Sequence, residues 1–284
     1  MGEIISGKVL SKEIREQVRI DVEKLKGLYG AVPHLVVVLI GEDPASQSYV
    51  KSKERACIKA GMKSTVIRKE DTVSEAEVLS IIDALNKDDD VHGILVQLPV
   101  PKHIDENKII DAIDYRKDVD GFHPLNIAYM HMGRPAILPA TPKGIITMLK
   151  SINVDLVGKD AIIIGRSNIV GKPAAMLSMK EHCTVQIAHS RTKNLKEKCL
   201  NADIIVAAVG RANTVTADMV KDGAIIIDVG VNRVDGKLVG DVDFEHVKDK
   251  ASYITPVPGG VGPMTITSLL QNTIETFKEC MNID

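Results

Sequence analysis

The stretch AIIIGRSNIVGKPAA, residues 161–175, joins an apolar run to a glycine-containing turn and the start of a helical pattern. An apolar strand that passes through Gly165 and opens a helix near Gly171 predicts a strand–turn–helix unit. Such a unit binds the phosphates of a dinucleotide, because the turn is tight and the first N–H groups of the helix face the anion. The match to G-x-G-x-x-G is incomplete, since Ser167 and Val170 replace the second and third glycines. A strand–turn–helix unit without a ligand is the alternative.

The end of the next predicted strand, TVQIA at residues 184–188, indicates which dinucleotide would bind. Sites for NAD usually place an acidic residue about 20 residues after the glycine turn, where it binds the ribose 2′-hydroxyl. Here the sequence reads A-H-S-R-T and offers Ser190 and Arg191 instead of an acid. A hydroxyl and a guanidinium suit a 2′-phosphate, and Arg166 would add a second cation. We therefore expect NADP rather than NAD, although Arg191 alone also fits an ordinary surface arginine.

Apolar strands alternate with helical patterns throughout the chain, which predicts an α/β fold with parallel sheets covered on both faces. In the second half, strands are expected at 161–165, 184–188, 203–210, 224–230 and near 253. In the first half, strands are expected at 34–40, 63–68 and 93–99, with helices over 8–29, 43–61 and 74–86. The fold class is thus two α/β domains, the second Rossmann-like and dinucleotide-binding, with a cleft between them.

A stretch interrupted by proline and glycine, residues 118–142, is typical of a connection between domains. We expect it to separate a first domain, residues 1–140, from the Rossmann-like domain, residues 141–263. The helical segment 264–284 is expected to fold back and complete the first domain. A chain of 284 residues is long enough for two domains with separate cores.

The composition is that of an ordinary globular protein, with 44% hydrophobic residues, 26% charged residues and a formal net charge of −2. Basic and acidic residues are interspersed and aromatic residues make up only 3%, so we expect no nucleic-acid binding. No apolar run has the length of a membrane span, and the cysteines and histidines lack metal-ligand spacing. We expect no membrane association, no metal and reduced thiols in the cytoplasm.

Three isolated polar features mark a candidate site in the first half of the chain. Tyr49 and Lys53 lie four residues apart in the second predicted helix and therefore share one face. Gln97 ends an otherwise apolar strand, at the carboxyl edge where ligands bind in parallel sheets. Asp120 lies in the turn K-D-V-D-G. Singly, these residues also fit a solvated helix face, a satisfied strand-end amide and a turn former.

The loop YITPVPGGVGPMT, residues 253–265, is dense in glycine and proline between a strand and a helix. Its three glycines, Gly259, Gly260 and Gly262, allow the backbone to approach a ligand closely. A tight turn without a ligand is the alternative, and we favour the ligand-lining interpretation.

Five motifs, Y-V-K-S-K, V-Q-L-P, D-V-D-G-F, G-R-S-N-I-V-G-K-P and P-G-G-V-G-P-M-T, occur in the order and spacing of one family. Over nearly its whole length the chain resembles the bifunctional methylenetetrahydrofolate dehydrogenase/methenyltetrahydrofolate cyclohydrolase family, the FolD type. The resemblance implies NADP-dependent oxidation of 5,10-methylenetetrahydrofolate to the methenyl cation, then hydrolysis of that cation to 10-formyltetrahydrofolate. It also implies a cytoplasmic homodimer that serves one-carbon metabolism and purine biosynthesis.

The resemblance also assigns roles to individual residues. The catalytic group would be Lys53, Tyr49, Gln97 and Asp120, with Asp120 rather than Asp118 holding the pterin. The folate would also contact Val96, Leu98, Pro258, Gly259, Gly260, Val261 and Gly262. The cofactor contacts would be Gly165, Arg166, Ser167, Ser190 and Val231, together with the Arg191 expected above. The chain departs from the family pattern at Ala140 and at Ala128-Tyr129, which affects local packing rather than the chemistry.

The residue types agree with these roles. Hydration of a cation needs a base, and Lys53 can serve only when it is neutral, a form that burial and a cationic substrate favour. Two other kinds of protein stay open at this point. A two-domain NADP dehydrogenase for a small hydroxy acid would want a His or Lys–Asp acid/base pair, and a non-catalytic NADP sensor would bind the cofactor without turnover.

Overall fold

The computed structural model describes residues 2–283, which divide into two compact units. The first unit comprises residues 13–140 and 266–283, and the second comprises residues 2–12 and 141–265. The helices are α1 (Gly7–Tyr29), α2 (Pro44–Lys59), α3 (Glu75–Lys87), α4 (Glu106–Ala112), α5 (Pro124–His131), α6 (Ala140–Ser151), α7 (Gly171–Lys180), α8 (Leu195–Leu200), α9 (Phe244–Val247) and α10 (Val261–Met281). The strands are β1 (Glu3–Ile4), β2 (His34–Ile40), β3 (Lys63–Lys69), β4 (Gly93–Val96), β5 (Asp160–Ile164), β6 (Thr184–Ala188), β7 (Ile204–Ala207), β8 (Ile225–Asp228), β9 (Asn232–Val234), β10 (Lys237–Val239) and β11 (Tyr253–Ile254).

The first unit is built on a three-stranded parallel sheet with the order β3-β2-β4. All seven residues of the central strand β2 are buried. Because side chains alternate along a strand, Leu35, Val37 and Leu39 pack with α1, α2 and α10, while Val36, Val38 and Ile40 pack with α3 and α4. A sheet buried on both faces explains why β2 reads as a continuous apolar run, as the sequence predicted.

Two parts of the first unit differ from expectation. The strand expected at 93–99 ends at Val96, since only the Gln97 N–H continues the ladder, by donating to the Val38 carbonyl. The stretch 118–142, expected to be an irregular connection, contains α5 and the start of α6. The short helix α5 is stabilised locally, because Pro124 occupies its first turn and the His123 side chain accepts a hydrogen bond from Leu125 N.

The second unit contains a six-stranded parallel sheet with the order β1-β11-β8-β7-β5-β6. The central strands β7 and β8 are wholly buried, and their side chains form a core with α8, α9 and the 3-10 turn Ala217–Met219. The expected α/β class is confirmed. The strand β1 and the antiparallel hairpin β9–β10 were not expected, because both are short and mostly exposed.

Residues 2–12 lie in the second unit, whereas the sequence-based boundaries placed them in the first domain. The reason is main-chain pairing, since Ile4 is in register with Ile254 and Lys8 N donates to the Gly259 carbonyl. Main-chain pairing between segments distant in sequence cannot be predicted from a hydropathy pattern. Within residues 2–283, none of the helices combines the length and apolar character needed to cross a membrane.

Candidate functional site

Helix α2 places Tyr49 and Lys53 one turn apart on the same face. Its start is fixed by Asp43, whose carboxylate accepts a hydrogen bond of 2.7 Å from Ser46 N. The two side chains differ in environment, because Tyr49 is 45% exposed and Lys53 only 8% exposed. A lysine buried to this degree, next to an accessible aromatic ring, is unusual for a solvated helix face.

The ammonium group of Lys53 donates a hydrogen bond of 3.0 Å from Nζ to Oε1 of Gln97. Gln97 is held in turn, because its Nε2 donates to the Leu98 carbonyl at 2.7 Å. Since Gln97 follows β4 directly, this pair lies at the carboxyl edge of the sheet in the first unit. The partner of Lys53 is a neutral amide oxygen, which orients the amine without requiring its charge.

Asp120 lies close enough to Lys53 for the charges of the two side chains to interact. Burial raises the pKa of its carboxyl group above the ordinary value, and the positive charge of Lys53 opposes that rise. Asp120 also lines a small pocket with Val96 and Leu98, whose apolar wall includes Ile109 from α4. The structure therefore brings Lys53, Gln97, Asp120, Val96 and Leu98 to one end of the first unit.

Asp118, which was not expected to bind the pterin, shapes the loop that carries Asp120. It is buried, and its carboxylate accepts hydrogen bonds from Gly121 N at 3.0 Å, His123 N at 2.7 Å and Asn126 Nδ2 at 3.1 Å. Burial raises the pKa of Asp118 to about 6 despite these donors. Its position two residues before Asp120, in a turn rich in Asp and Gly, was the available signal.

Two further residues fix this loop and were missed by the sequence argument. Gly121 has a φ of +71°, and a Cβ there would lie 2.6 Å from the backbone of Leu138, so only glycine fits. Asn272 on α10 donates from Nδ2 to the carbonyls of Val119 and Leu138, both at 2.8 Å. The loop is thus supported on both sides of Asp120.

In the second unit, the turn after β5 depends on two glycines. Gly165 has a φ of +132°, and a Cβ on it would lie 2.2 Å from the Ala208 carbonyl oxygen. A Cβ on Gly171, the first residue of α7, would lie 2.3 Å from the Gly165 carbonyl oxygen. Ser167 satisfies two backbone donors at the start of α7, since its Oγ accepts hydrogen bonds from the N–H groups of Val170 and Gly171 at 3.2 Å. The backbone around β5 and α7 is therefore as compact as a dinucleotide turn requires.

The residues expected at a 2′-phosphate follow the neighbouring strand. Strands β5 and β6 pair in parallel with Ile164 opposite Ala188, so their turns leave the sheet at the same edge. Arg166 and Arg191 are both exposed, and Ser190 stands between the strand and Arg191. This arrangement puts two guanidinium groups and a hydroxyl at adjacent strand ends where an NAD site would have an acid.

The remaining expected contacts lie in the second unit. Residues 258–262 form the end of the turn after β11 and the start of α10, where Gly259 has a φ of +104° and a Cβ on Gly260 would lie 2.5 Å from the Pro256 carbonyl oxygen. Val261 begins α10 and is buried, while Gly262 is exposed. Val231, which follows β8, is 50% exposed. In the described residues, no group of three or more His, Cys, Asp or Glu side chains is arranged to hold a metal ion.

A parallel α/β unit with a dinucleotide turn, together with an α/β unit that carries a buried lysine, is typical of two-domain nucleotide-dependent enzymes. Family models match both parts of the chain: the tetrahydrofolate dehydrogenase/cyclohydrolase catalytic domain over residues 5–120, and the NAD(P)-binding domain of the same family over residues 139–281. The chain belongs to the tetrahydrofolate dehydrogenase/cyclohydrolase family.

Individual members of the family are similar to this chain over almost its full length. The bifunctional protein FolD of Oceanobacillus iheyensis is 54% identical over 285 aligned positions, which cover 100% of both chains. The crystal structure of the bifunctional FolD enzyme of Campylobacter jejuni is 49% identical, covers 98% of this chain and 99% of its own, and superposes with a TM-score of 0.96. A Trypanosoma brucei methylenetetrahydrofolate dehydrogenase–cyclohydrolase, solved with NADP and an inhibitor, is 34% identical with a TM-score of 0.95, covering 99% and 98%.

The family and its two activities, anticipated from the motifs, are therefore confirmed for this chain. It is an enzyme, a bifunctional methylenetetrahydrofolate dehydrogenase and methenyltetrahydrofolate cyclohydrolase of one-carbon metabolism.

Proposed function

We propose that Lys53, Gln97, Asp120 and Tyr49 carry out both reactions of this enzyme, with NADP held by the second unit. The observation that carries the proposal is the hydrogen bond from the buried Lys53 amine to Gln97 at the carboxyl edge of the sheet. The enzyme oxidises 5,10-methylenetetrahydrofolate and hydrolyses the methenyl product to 10-formyltetrahydrofolate.

The oxidation requires the methylene bridge of the folate to lie against the nicotinamide ring, and little further chemistry from the protein. NADP, when bound, accepts the hydride. The NADP assignment follows the NAD(P)-binding domain of the family and the trypanosomal relative solved with NADP. Gly165, Ser167 and Arg166 would hold its phosphates, because the turn is compact and ends at a helix N-terminus. Ser190 and Arg191 would bind the 2′-phosphate.

The hydrolysis requires a base. Neutral Lys53 would remove a proton from the water that attacks the methenyl carbon, while Gln97 Oε1 holds Nζ in position. The hydroxyl on that carbon then gives up its proton as the bond from the carbon to N5 breaks, N5 takes up a proton, and the formyl group stays on N10. The one proton released overall is the one that Lys53 removed. Tyr49 would flank the folate ring, because it is exposed one turn from Lys53.

Asp120 would bind the pterin. Its two carboxylate oxygens match the adjacent N–H donors of the pterin amide edge, since a carboxylate accepts hydrogen bonds in pairs. Val96 and Leu98 supply apolar contacts beside it in the same pocket, and Pro258 to Gly262 are proposed as further substrate contacts.

A paired assay tests this proposal. Purified protein is given 5,10-methylenetetrahydrofolate with NADP or NAD in parallel, and reduced nicotinamide, methenyl and 10-formyl products are followed together. We expect NADPH and 10-formyl product. Accumulation of methenyl product without hydrolysis would overturn the role of Lys53.

Replacement of Ser190 and Arg191 together by alanine is expected to raise the KM for NADP about a hundredfold, since two charge-assisted hydrogen bonds of about 1.5 kcal/mol each are lost. The KM for NAD should stay unchanged, because NAD has no 2′-phosphate. Lys193→Ala is the matched control, as it removes an exposed positive charge two residues further on. Equal losses with both cofactors would contradict a 2′-phosphate site at these residues.

We also propose that the enzyme is a cytoplasmic homodimer and binds no nucleic acid. The free state of the four cysteines, Cys57, Cys183, Cys199 and Cys280, supports a reducing compartment. Light scattering on the purified protein should give twice the mass of one chain, and a monomer mass would contradict the proposed dimer.

A further inference from the structure

Two buried carboxylates lie at the carboxyl ends of β8 and β10 in the second unit, Asp228 at 3% and Asp241 at 0% exposure. Asp228 accepts hydrogen bonds of 2.9 Å from three backbone N–H groups, those of Gly230, Asp241 and Val242. Burial raises the pKa of Asp228 to about 6, and the nearby charge of Asp241 contributes to the rise. Asp228 therefore fixes the backbone position of Asp241.

Asp241 in turn joins two segments that are distant in sequence. Its Oδ2 accepts from Val209 N at 2.7 Å and Gly210 N at 2.9 Å, and its Oδ1 accepts from Arg211 N at 2.8 Å. Oδ1 also accepts from Asn232 Nδ2 at 2.9 Å. One carboxylate thus holds both the loop after β7, residues 209–211, and the first residue of the hairpin β9–β10.

Two glycines make room for these acids in a reciprocal way. A Cβ on Gly230 would lie 2.2 Å from Oδ1 of Asp241, and a Cβ on Gly240 would lie 1.8 Å from Oδ2 of Asp228. Each carboxylate therefore occupies space that a side chain at the facing glycine would fill. Two carboxylates and two glycines therefore hold the two loops in one arrangement, which is more than ordinary turn formation requires.

The loops held in this way leave the same edge of the sheet as the dinucleotide turn. Strands β5, β7 and β8 are parallel neighbours, so their carboxyl ends lie side by side. The 2′-phosphate site proposed above lies on the opposite side of β5, after β6. A dinucleotide whose phosphates sit at Gly165 and whose 2′-phosphate lies after β6 must extend its nicotinamide end towards β7 and β8.

The side chains on these loops suit contact with the face of a flat aromatic ring. Val209 is 38% exposed and Val231 is 50% exposed. The N–H of Val209 itself donates to Asp241, and Val231 follows Gly230, whose N–H donates to Asp228. Gly165 itself packs against Ala208, the residue before Val209, so the loop and the dinucleotide turn are in contact. A displaced 209–211 loop would move the apolar surface away from the ring.

We propose that Asp241, held in place by Asp228, is a positioning residue that fixes the loops after β7 and β8 to receive the nicotinamide end of NADP. The inference rests on the proposed orientation of NADP, with its 2′-phosphate after β6. Asp241 acts through the backbone and does not itself touch the cofactor.

The test compares binding of NADP with binding of 2′,5′-ADP, which carries the 2′-phosphate but lacks the nicotinamide end, by calorimetry on the full chain. In Asp241→Asn an amide NH₂ replaces one of the acceptor oxygens. We expect the Kd for NADP to rise about tenfold to a hundredfold, because displaced loops no longer contact the nicotinamide end; each tenfold corresponds to about 1.4 kcal/mol of lost binding free energy. The Kd for 2′,5′-ADP and the rate of methenyl hydrolysis should remain at the wild-type value.

Asp235→Asn is the matched control, because Asp235 is exposed at the tip of the same hairpin and the substitution removes the same charge. Asn232→Ala is a milder second variant that removes only the amide bonds to Asp241 and Gly240, and it should weaken NADP binding by a smaller factor. It keeps the test decisive if Asp241→Asn does not fold.

The outcomes are distinguishable. Unchanged NADP binding in a folded Asp241→Asn or Asn232→Ala variant overturns the inference, and so does equal weakening of NADP and 2′,5′-ADP, which would indicate a general loss of structure. If the wild-type protein does not bind 2′,5′-ADP, the proposed orientation of NADP fails, and the inference fails with it. Selective loss of NADP binding supports both.

Discussion

Replacement of Lys53 by alanine is expected to abolish enzymatic hydrolysis of 5,10-methenyltetrahydrofolate. The amine of Lys53 is buried and oriented by Gln97, as a positioned base requires. Removal of a positioned base typically lowers a rate by about 10² to 10⁴. Stopped-flow or steady-state measurement of methenyl absorbance, corrected for the spontaneous reaction, gives the rate. Hydrolysis that persists well above the spontaneous rate would exclude Lys53 as the base.

Two further variants separate the base from the charge. Lys53→Arg keeps a positive charge but cannot become neutral, so it should also fail to hydrolyse the methenyl substrate. Lys51→Ala removes an exposed lysine from the same helix and should behave as wild type. Substantial activity in Lys53→Arg would show that charge alone is sufficient and would contradict the general-base role.

Replacement of Asp120 by alanine is expected to weaken folate binding in both reactions by about a hundredfold, because two hydrogen bonds to a charged group, of about 1.5 kcal/mol each, are lost. The effect should appear in the KM for 5,10-methylenetetrahydrofolate and in the KM for the methenyl substrate. Binding of 2′,5′-ADP should not change, since Asp120 lies in the first unit and the proposed nucleotide contacts lie in the second.

The matched control for Asp120 is Asp111→Ala, which removes an exposed carboxylate from α4 in the same unit. The pH dependence gives a second check. Burial raises the pKa of Asp120, and only the ionised carboxylate accepts a pair of donors, so folate affinity should fall as the pH falls towards that raised value. Folate affinity that is independent of Asp120 would remove it from the site.

The sheets were predictable because their strands carry strong local patterns. The run HLVVVLI is buried on both faces and coincides with β2, and TVQIA coincides with β6. Helix α2 was predictable from Asp43, Pro44 and Gly61, which mark its two ends. In each case the residues that determine the element lie inside or next to it.

What could not be predicted depends on residues far apart in sequence. The pairing of β1 with β11 involves two exposed residues, and the Asp228–Asp241 pair is recognisable only when the loops it holds have been brought together. Asp118 illustrates the same limit, because its role depends on three donors that only the folded loop supplies. The motif comparison identified Lys53 and Gln97, but the 3.0 Å bond between them is a property of the fold.

Neither unit is built from one continuous length of chain, and this has a consequence for biosynthesis. Strand β1 can pair only once residue 254, the end of its partner strand β11, has been added. The first unit likewise lacks Leu269 and Phe277 of its core until residue 277 has been added. Each unit can therefore be completed only when a segment distant in sequence has been added, and a chain divided between residues 140 and 141 would yield two fragments that each lack part of a unit.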